Sequence, residues 1–124
     1  MNAWIIAECG VNHNGSLATA TRLIEEAHAT GADFVKFQTF RAEELVRRNT
    51  ALADYQKASG QFGSQFEMLK SLELGESDFG ELFRFAHQRG IRIFSTAFDL
   101  ASLEFLRSLG QKIFKVSSGD VDNV

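Results

Sequence analysis

The sequence predicts an α/β fold in which strands and helices alternate along the chain and the strands run parallel. Three observations carry this. Short apolar runs of strand length ("WIIAE", "DFVKFQ", "IRIFST", "KIFKVS") alternate with stretches whose apolar residues recur every three or four positions. Each of three helical stretches is closed by a glycine, Gly31, Gly90 or Gly110, shortly before the next strand-like run. Alternation of this kind builds right-handed βαβ units on a parallel sheet. Two architectures accommodate it: an open doubly wound sheet and a (β/α)8 TIM-type barrel. A barrel needs about 250 residues and eight units. A chain of 124 residues would then hold the first four β/α units, a half barrel.

Residues 4–8 form the first strand, ended by Gly10, and "GVNHNG" follows as a turn of residues that tolerate positive φ. Ser16 caps the next helix, which gathers Leu17, Ala20, Leu23, Ile24 and Ala27 on one apolar face. Residues 33–38 are the second strand. Residues 39–63 are polar, weakly patterned and longer than an ordinary connection, which marks a functional loop and not a linker between domains. Ser64 and Glu67 make a Ser-x-x-Glu capping box before "FEMLKSLEL", predicting a short helix. Ser77 opens another, with Phe79, Leu82, Phe83 and Ala86 as its buried stripe and Gly90 as its stop. "IRIFST" is the third strand. Asp99 caps a helix through Leu103, Leu106 and Leu109, and "KIFKVS" is a fourth strand leading into "SSGD". A half barrel leaves its first and fourth strands with open edges, which predicts self-association.

Side chains alternate across a strand, so polar residues can be assigned to faces. Ile6 and Glu8 share a face of the first strand, and Phe34, Lys36 and Gln38 share a face of the second. Phe94 and Thr96 do so in the third, and Ile113, Lys115 and Ser117 in the fourth. In each strand the polar members lie toward the C-terminal end. An unpaired buried charge costs several kcal/mol, so Lys36 and Lys115 require anionic partners, either Glu8 or a ligand. An edge-strand lysine reaching solvent also explains Lys36 alone, and the same polar C-terminal ends in four strands count against that reading without removing it. Barrel enzymes build their sites from strand ends and the loops that follow. The "SSGD" stretch suits a plain turn and an anion-binding turn equally. His13 reads as a turn residue and not a metal ligand, while His28 and His87 sit within amphipathic helices and read as structural.

Composition narrows the partners. The net charge of −3 offers no overall attraction to nucleic acid or anionic membrane, so an anionic ligand must be caught locally. The single cysteine, Cys9, excludes an internal disulfide framework and points to a reducing cytoplasm. No apolar run approaches the about 20 residues of a membrane span, and the N-terminus lacks the basic segment of a signal peptide. Proline is absent, where typical usage of about 5% would supply roughly six, and nothing in the residues explains it.

Five stretches, in order, "IAECGVNHNGS", "GADFVKFQTF", "SQFEMLKSLEL", "FSTAFD" and "FKVSSGD", resemble the N-acetylneuraminate (sialic acid) synthase family, including legionaminate and related nonulosonate synthases. The resemblance implies a (β/α)8 barrel followed by a small antifreeze-protein-like domain in a domain-swapped homodimer. Residues 1–124 would be the N-terminal part of that barrel, without its second half or the antifreeze-like domain. The implied reaction condenses phosphoenolpyruvate with N-acetylmannosamine or a related N-acetylated amino sugar and releases phosphate.

The resemblance also implies roles. Glu8 matches the glutamate that contacts the sugar, Lys36 the lysine at the phosphoenolpyruvate end, and Gln38 the glutamine beside the sugar. Thr96, Lys115 and Ser118 match positions that hold the carboxylate and phosphate. Asp120 matches an acidic position that manages the attacking water or the sugar. The family's divalent metal, Mn2+ or Mg2+, takes two histidines from later strands, so no metal ligand is expected here. Ala97 departs from the family's usual "STPF" proline, which would loosen the turn that aims Thr96 and Phe98. Two other functions stay open on the residues alone: a Schiff-base aldolase using Lys115 or Lys36, and a non-catalytic anion-binding fragment.

Overall fold

The computed structural model describes residues 2–48 and 62–122. Strands β1 (Ile6–Gly10), β2 (Phe34–Thr39) and β3 (Arg92–Ala97) form a three-stranded parallel sheet in that spatial order. Helix α1 (Leu17–Ala29) joins β1 to β2, and α2 (Ala42–Arg48), α3 (Phe62–Leu72) and α4 (Glu76–Arg89) lie between β2 and β3. Helix α5 (Leu100–Ser108) follows β3, and a 3-10 turn spans Ser118–Asp120. The α/β class and the parallel order are as the alternating pattern predicts.

Local chemistry sets the helix ends. The Ser16 hydroxyl accepts the Thr19 N–H at 3.2 Å, and the Asp99 carboxylate accepts the Ser102 N–H at 2.7 Å, so α1 and α5 start where their caps stand. Helices α1, α4 and α5 end by one device. A left-handed glycine (φ 81° at Gly31, 81° at Gly90, 88° at Gly110) lets the next N–H reach back to a carbonyl: Ala32 to Ala27, Ile91 to Ala86, Gln111 to Leu106.

Three helix expectations are corrected. Helix α4 begins at Glu76, with Gly75 at the cap, so Ser77 lies inside it; Glu76 and Asp78 place negative charge where the helix dipole favours it. Helix α3 is already running at Ser64, because a Ser-x-x-Glu spacing fits a helix interior as well as a cap. Within the stretch read as a loop, residues 42–48 are helical. Its first amides are satisfied from far away: Arg41 N–H by Asp99 Oδ2 and Ala42 N–H by Glu73 Oε2, each at 3.0 Å. No nearby cap announces α2 for that reason. Residues 62 and 63 of that stretch open α3, and residues 49–61 lie outside the described residues.

The core sits on one side of the sheet. Cys9, Val35 and Phe37 pack against Ala20, Ile24 and Ala27 of α1 and Phe79, Leu82 and Ala86 of α4. Burying each large apolar side chain there stabilises by about 1.5–3 kcal/mol. A one-residue slip of β2 would turn Lys36 into this layer, so the apolar packing determines which face carries the polar residues.

The predicted fourth strand is absent. Residues 112–116 are all exposed, with Ile113 at 40% and Phe114 at 42%, and they join no sheet. The backbone of Ser95 on β3 is bonded instead by a side chain, that of Gln111. An apolar alternation makes a strand only where a partner edge is free to receive it.

Candidate active site

The strand register builds the site. Glu8 lies beside Lys36 and Gln38 beside Thr96, on the sheet face turned away from α1 and α4. The Lys36 ammonium donates to Glu8 Oε2 at 2.7 Å. The lysine side chain is only 7% exposed and the glutamate 56%, so a buried cation stands behind a carboxylate open to solvent. The register shifts between Glu8 and Gly10. A Cβ on Gly10 would lie 3.4 Å from Glu8 Oε1 and 3.7 Å from Gln38 Nε2, which brings those two side chains around one backbone position. The Thr96 side chain is buried, and its hydroxyl has no hydrogen-bond partner among the described residues. An unmet hydroxyl in such a place costs about 1–3 kcal/mol and is free to bond a ligand.

Below these polar tips the same face is closed by rings. Phe34 and Phe94 meet edge to face at 5.7 Å, and the Arg92 guanidinium lies 4.0 Å over the Phe34 ring and 5.1 Å over Trp4. The face is thus apolar toward the N-terminal strand ends and polar toward the C-terminal ends.

The remaining sequence candidates lie elsewhere. Lys115, Ser117 and Asp120 line an open cleft of about 760 Å³ beyond the end of β3, together with Ala97, Phe98 and Phe114. Glu8, Lys36, Gln38 and Thr96 do not line it. Ser118 is exposed at the start of the 3-10 turn. That turn is held by the Asp120 N–H donating to the Ser117 carbonyl at 2.9 Å. Lys115, whose partner was expected to be a carboxylate or a ligand, is exposed and needs neither to stay folded.

His13 is a turn residue, as its setting predicts, and a buried one. Its Nδ1 accepts the Gly15 N–H at 2.9 Å, and its ring centroid is 6.0 Å from that of Phe37. Burial holds the imidazole below its ordinary pKa. Burial, and then the nearby Glu8 charge, push the Cys9 thiol up, so Cys9 is not an activated nucleophile. Among the described residues no group of three or more His, Cys, Asp or Glu could hold a metal ion. These residues do not by themselves furnish the divalent-cation site that the family resemblance implies.

Sequence reasoning missed three contributors: Gly10, the Thr39 and Ser95 hydroxyl pair at 2.7 Å, and Gln111. One signal existed for the last. Gln111 occupies the slot after a helix-ending glycine that Ala32 and Ile91 fill elsewhere, and it alone is polar.

A family model described as the NeuB family matches residues 23–124. The chain belongs to the NeuB family. The resemblance carried by the five motifs is thereby borne out. A NeuB relative, the N,N'-diacetyllegionaminic acid synthase of Legionella pneumophila, is 49% identical over 125 residues, covering 100% of this chain and 35% of that protein. The human N-acetylneuraminate-9-phosphate synthase is 36% identical over 120 residues, 97% of this chain and 33% of that protein. The solved N-acetylneuraminic acid synthetase of Leptospira borgpetersenii, in complex with citrate, matches with a TM-score of 0.80 at 30% identity, over 99% of this chain and 39% of that one. This NeuB chain spans about a third of the length of the curated relatives it matches.

Proposed function

We propose that this chain forms the phosphoenolpyruvate-binding part of a nonulosonate synthase, as the N-terminal half of a (β/α)8 barrel. The observation that carries the reading is the buried Lys36 ammonium held 2.7 Å from the half-exposed Glu8 carboxylate, on the sheet face turned away from α1 and α4. Phosphoenolpyruvate is a compact trianion. A chain of net charge −3 repels it in general and must supply local cations to hold it.

In this scheme the methylene carbon of phosphoenolpyruvate attacks the aldehyde carbon of N-acetylmannosamine or a related amino sugar. A carbon–carbon bond forms, the aldehyde oxygen takes a proton, water adds to the central carbon, and phosphate leaves with its bridging oxygen. Lys36 faces the carboxylate or phosphate, and the Thr96 hydroxyl bonds one of its oxygens. Glu8 faces the positive charge that develops at the central carbon. Lys115, Ser118 and Asp120 take the second anionic group and the water by the resemblance alone, since Lys115 and Asp120 stand in the separate cleft beyond β3. Gln38, beside Glu8, offers its amide to the sugar. The described residues offer no group of three or more His, Cys, Asp or Glu for the Mn2+ or Mg2+ expected of the family. A cytoplasmic, homo-oligomeric protein agrees with the lone Cys9 and the resemblance. Lys36 is engaged as an ion-pair donor to Glu8, so an anion that binds it must share or displace that carboxylate.

Calorimetric titration of the chain with phosphoenolpyruvate tests this. Saturable binding is expected, weakened at least tenfold in Lys36→Met with an unchanged circular dichroism spectrum. No binding by the unmodified chain would overturn the reading. Borohydride reduction in the presence of pyruvate is expected to leave the mass unchanged; a covalent adduct would assign the chain to the Schiff-base aldolases. Phosphate release that requires phosphoenolpyruvate and amino sugar together separates a synthase from an anion-binding fragment.

A further inference from the structure

Resting on the reading that the strand ends bind phosphoenolpyruvate, we propose that Gln111 is a positioning residue. Its side-chain amide stands in for a neighbouring strand at Ser95, and so aims the Thr96 hydroxyl and sets how far along β3 the segment carrying Lys115 lies.

The geometry is a two-point clamp. The Ser95 N–H donates to Gln111 Oε1 at 2.8 Å, and Gln111 Nε2 donates to the Ser95 carbonyl at 2.9 Å. A primary amide has one acceptor and donors on the same plane, so it can bond both backbone groups of one residue as a paired strand would. Gln111 is 7% exposed and Ser95 1%, so water cannot replace either bond. The Ser95 hydroxyl is held a third time, by Thr39 Oγ1 at 2.7 Å. Turning the peptide between Ser95 and Thr96 would break buried bonds that cost about 1–3 kcal/mol each when left unmet. Thr96, next in the chain, carries the buried hydroxyl without a partner among the described residues. A hydroxyl meant for one ligand oxygen must be held to within about 0.5 Å, which a clamped backbone does and a free strand edge does not.

The clamp also places the segment on its C-terminal side. Gln111 sits directly after the glycine that ends α5, in the slot that Ala32 and Ile91 hold after α1 and α4. After those two apolar residues a strand begins within a few positions; after Gln111 none does among the described residues. The four residues from Gln111 to Lys115 can span at most about 13 Å, at roughly 3.3 Å each. That carries Lys115 to the cleft it shares with Ala97 and Phe98, just past the end of β3. The amide that locks Ser95 therefore also anchors the start of the segment bearing the second lysine.

A double-mutant cycle read by phosphoenolpyruvate calorimetry tests this. Gln111→Met keeps length and volume but makes neither bond. It should weaken binding about tenfold in the unmodified background and by clearly less when Thr96→Val is present, the remainder being the share that acts through the Lys115 segment. Equal losses in both backgrounds would mean a merely structural role and end the proposal. Gln111→Glu gives a second readout: its protonated form has one donor and one acceptor, its ionised form no donor for the Ser95 carbonyl. Its affinity relative to the unmodified chain should recover as pH falls from 7 to 5, and a flat ratio would count against the clamp. If Gln111→Met does not fold, that pH profile decides alone. Failure of the unmodified chain to bind phosphoenolpyruvate would sink the functional reading itself, whereas normal binding with additive losses would sink only the role of Gln111.

Discussion

Lys36 and Glu8 are unequal partners, since one is sealed inside the fold and the other opens to water. Their substitutions should therefore differ in kind. Glu8→Ala leaves a buried ammonium without its carboxylate and should lower stability by about 1–2 kcal/mol, less than for a fully buried pair because solvent reaches the site. Lys36→Met removes the charge and keeps the stem, so urea unfolding should change by under about 1 kcal/mol while anion binding is lost. A large destabilisation by Lys36→Met would mean that the lysine serves the fold and not a ligand. His13 makes a second prediction. Burial favours its neutral form, so the unfolded chain takes up a proton below the ordinary value of 6.5 that the folded chain refuses. The resulting stability is present above pH 6.5 and lost as pH falls below it. The thermal midpoint should drop between pH 7.5 and 5.5 by more in the unmodified chain than in His13→Gln, whose amide oxygen can still accept the Gly15 N–H. Equal slopes would remove His13 as the cause.

Helix α3 and the turn after β1 meet backbone to backbone. Gly15 has φ 74°, and a Cβ there would stand 2.2 Å from the Ser71 carbonyl oxygen, an atom that cannot swing aside. Gly31 has φ 81° with nothing within 4 Å. Gly31→Ala should cost only the left-handed penalty, about 1–2 kcal/mol, whereas Gly15→Ala adds the clash and should cost roughly 2–5 kcal/mol. Urea midpoints of the two variants isolate the contact, and equal costs would mean α3 does not dock there. The caps at Ser16 and Asp99 could be read from sequence because cap and amide are three residues apart. The same aspartate also reaches Arg41 N–H from 58 residues away, and Glu73 reaches Ala42 N–H from 31. Nothing local in a sequence signals such pairings, which is why α2 looked like loop.

The whole sheet presents an edge at β1 and exposed apolar side chains at both ends of the chain. Trp4 and Ile5 are 61% and 64% exposed, and Val116 is 66% exposed. An unpaired strand edge flanked by apolar residues templates association. Sedimentation velocity should show concentration-dependent self-association across the micromolar range, reduced by Ile5→Lys. A monomer at every concentration would show that these surfaces are inert.

The α/β class, the first three strands, helices α1, α4 and α5, the face shared by Lys36 and Gln38, and the family itself were legible in the residues. Each rests on relations among near neighbours: a two-residue period in strands, a three- to four-residue period in helices, a hydroxyl or carboxylate before a helix, a glycine after it. Whether "KIFKVS" is a strand rests on a distant edge, and folding gave the Ser95 position on that edge to the Gln111 side chain. The burial of Lys36 behind Glu8, the separation of Lys115 and Asp120 into a second cleft, and the distant caps of α2 belong to the same class. Pattern along a chain records what each residue favours; which of two competing hydrogen-bond partners wins is settled only when remote segments meet in three dimensions.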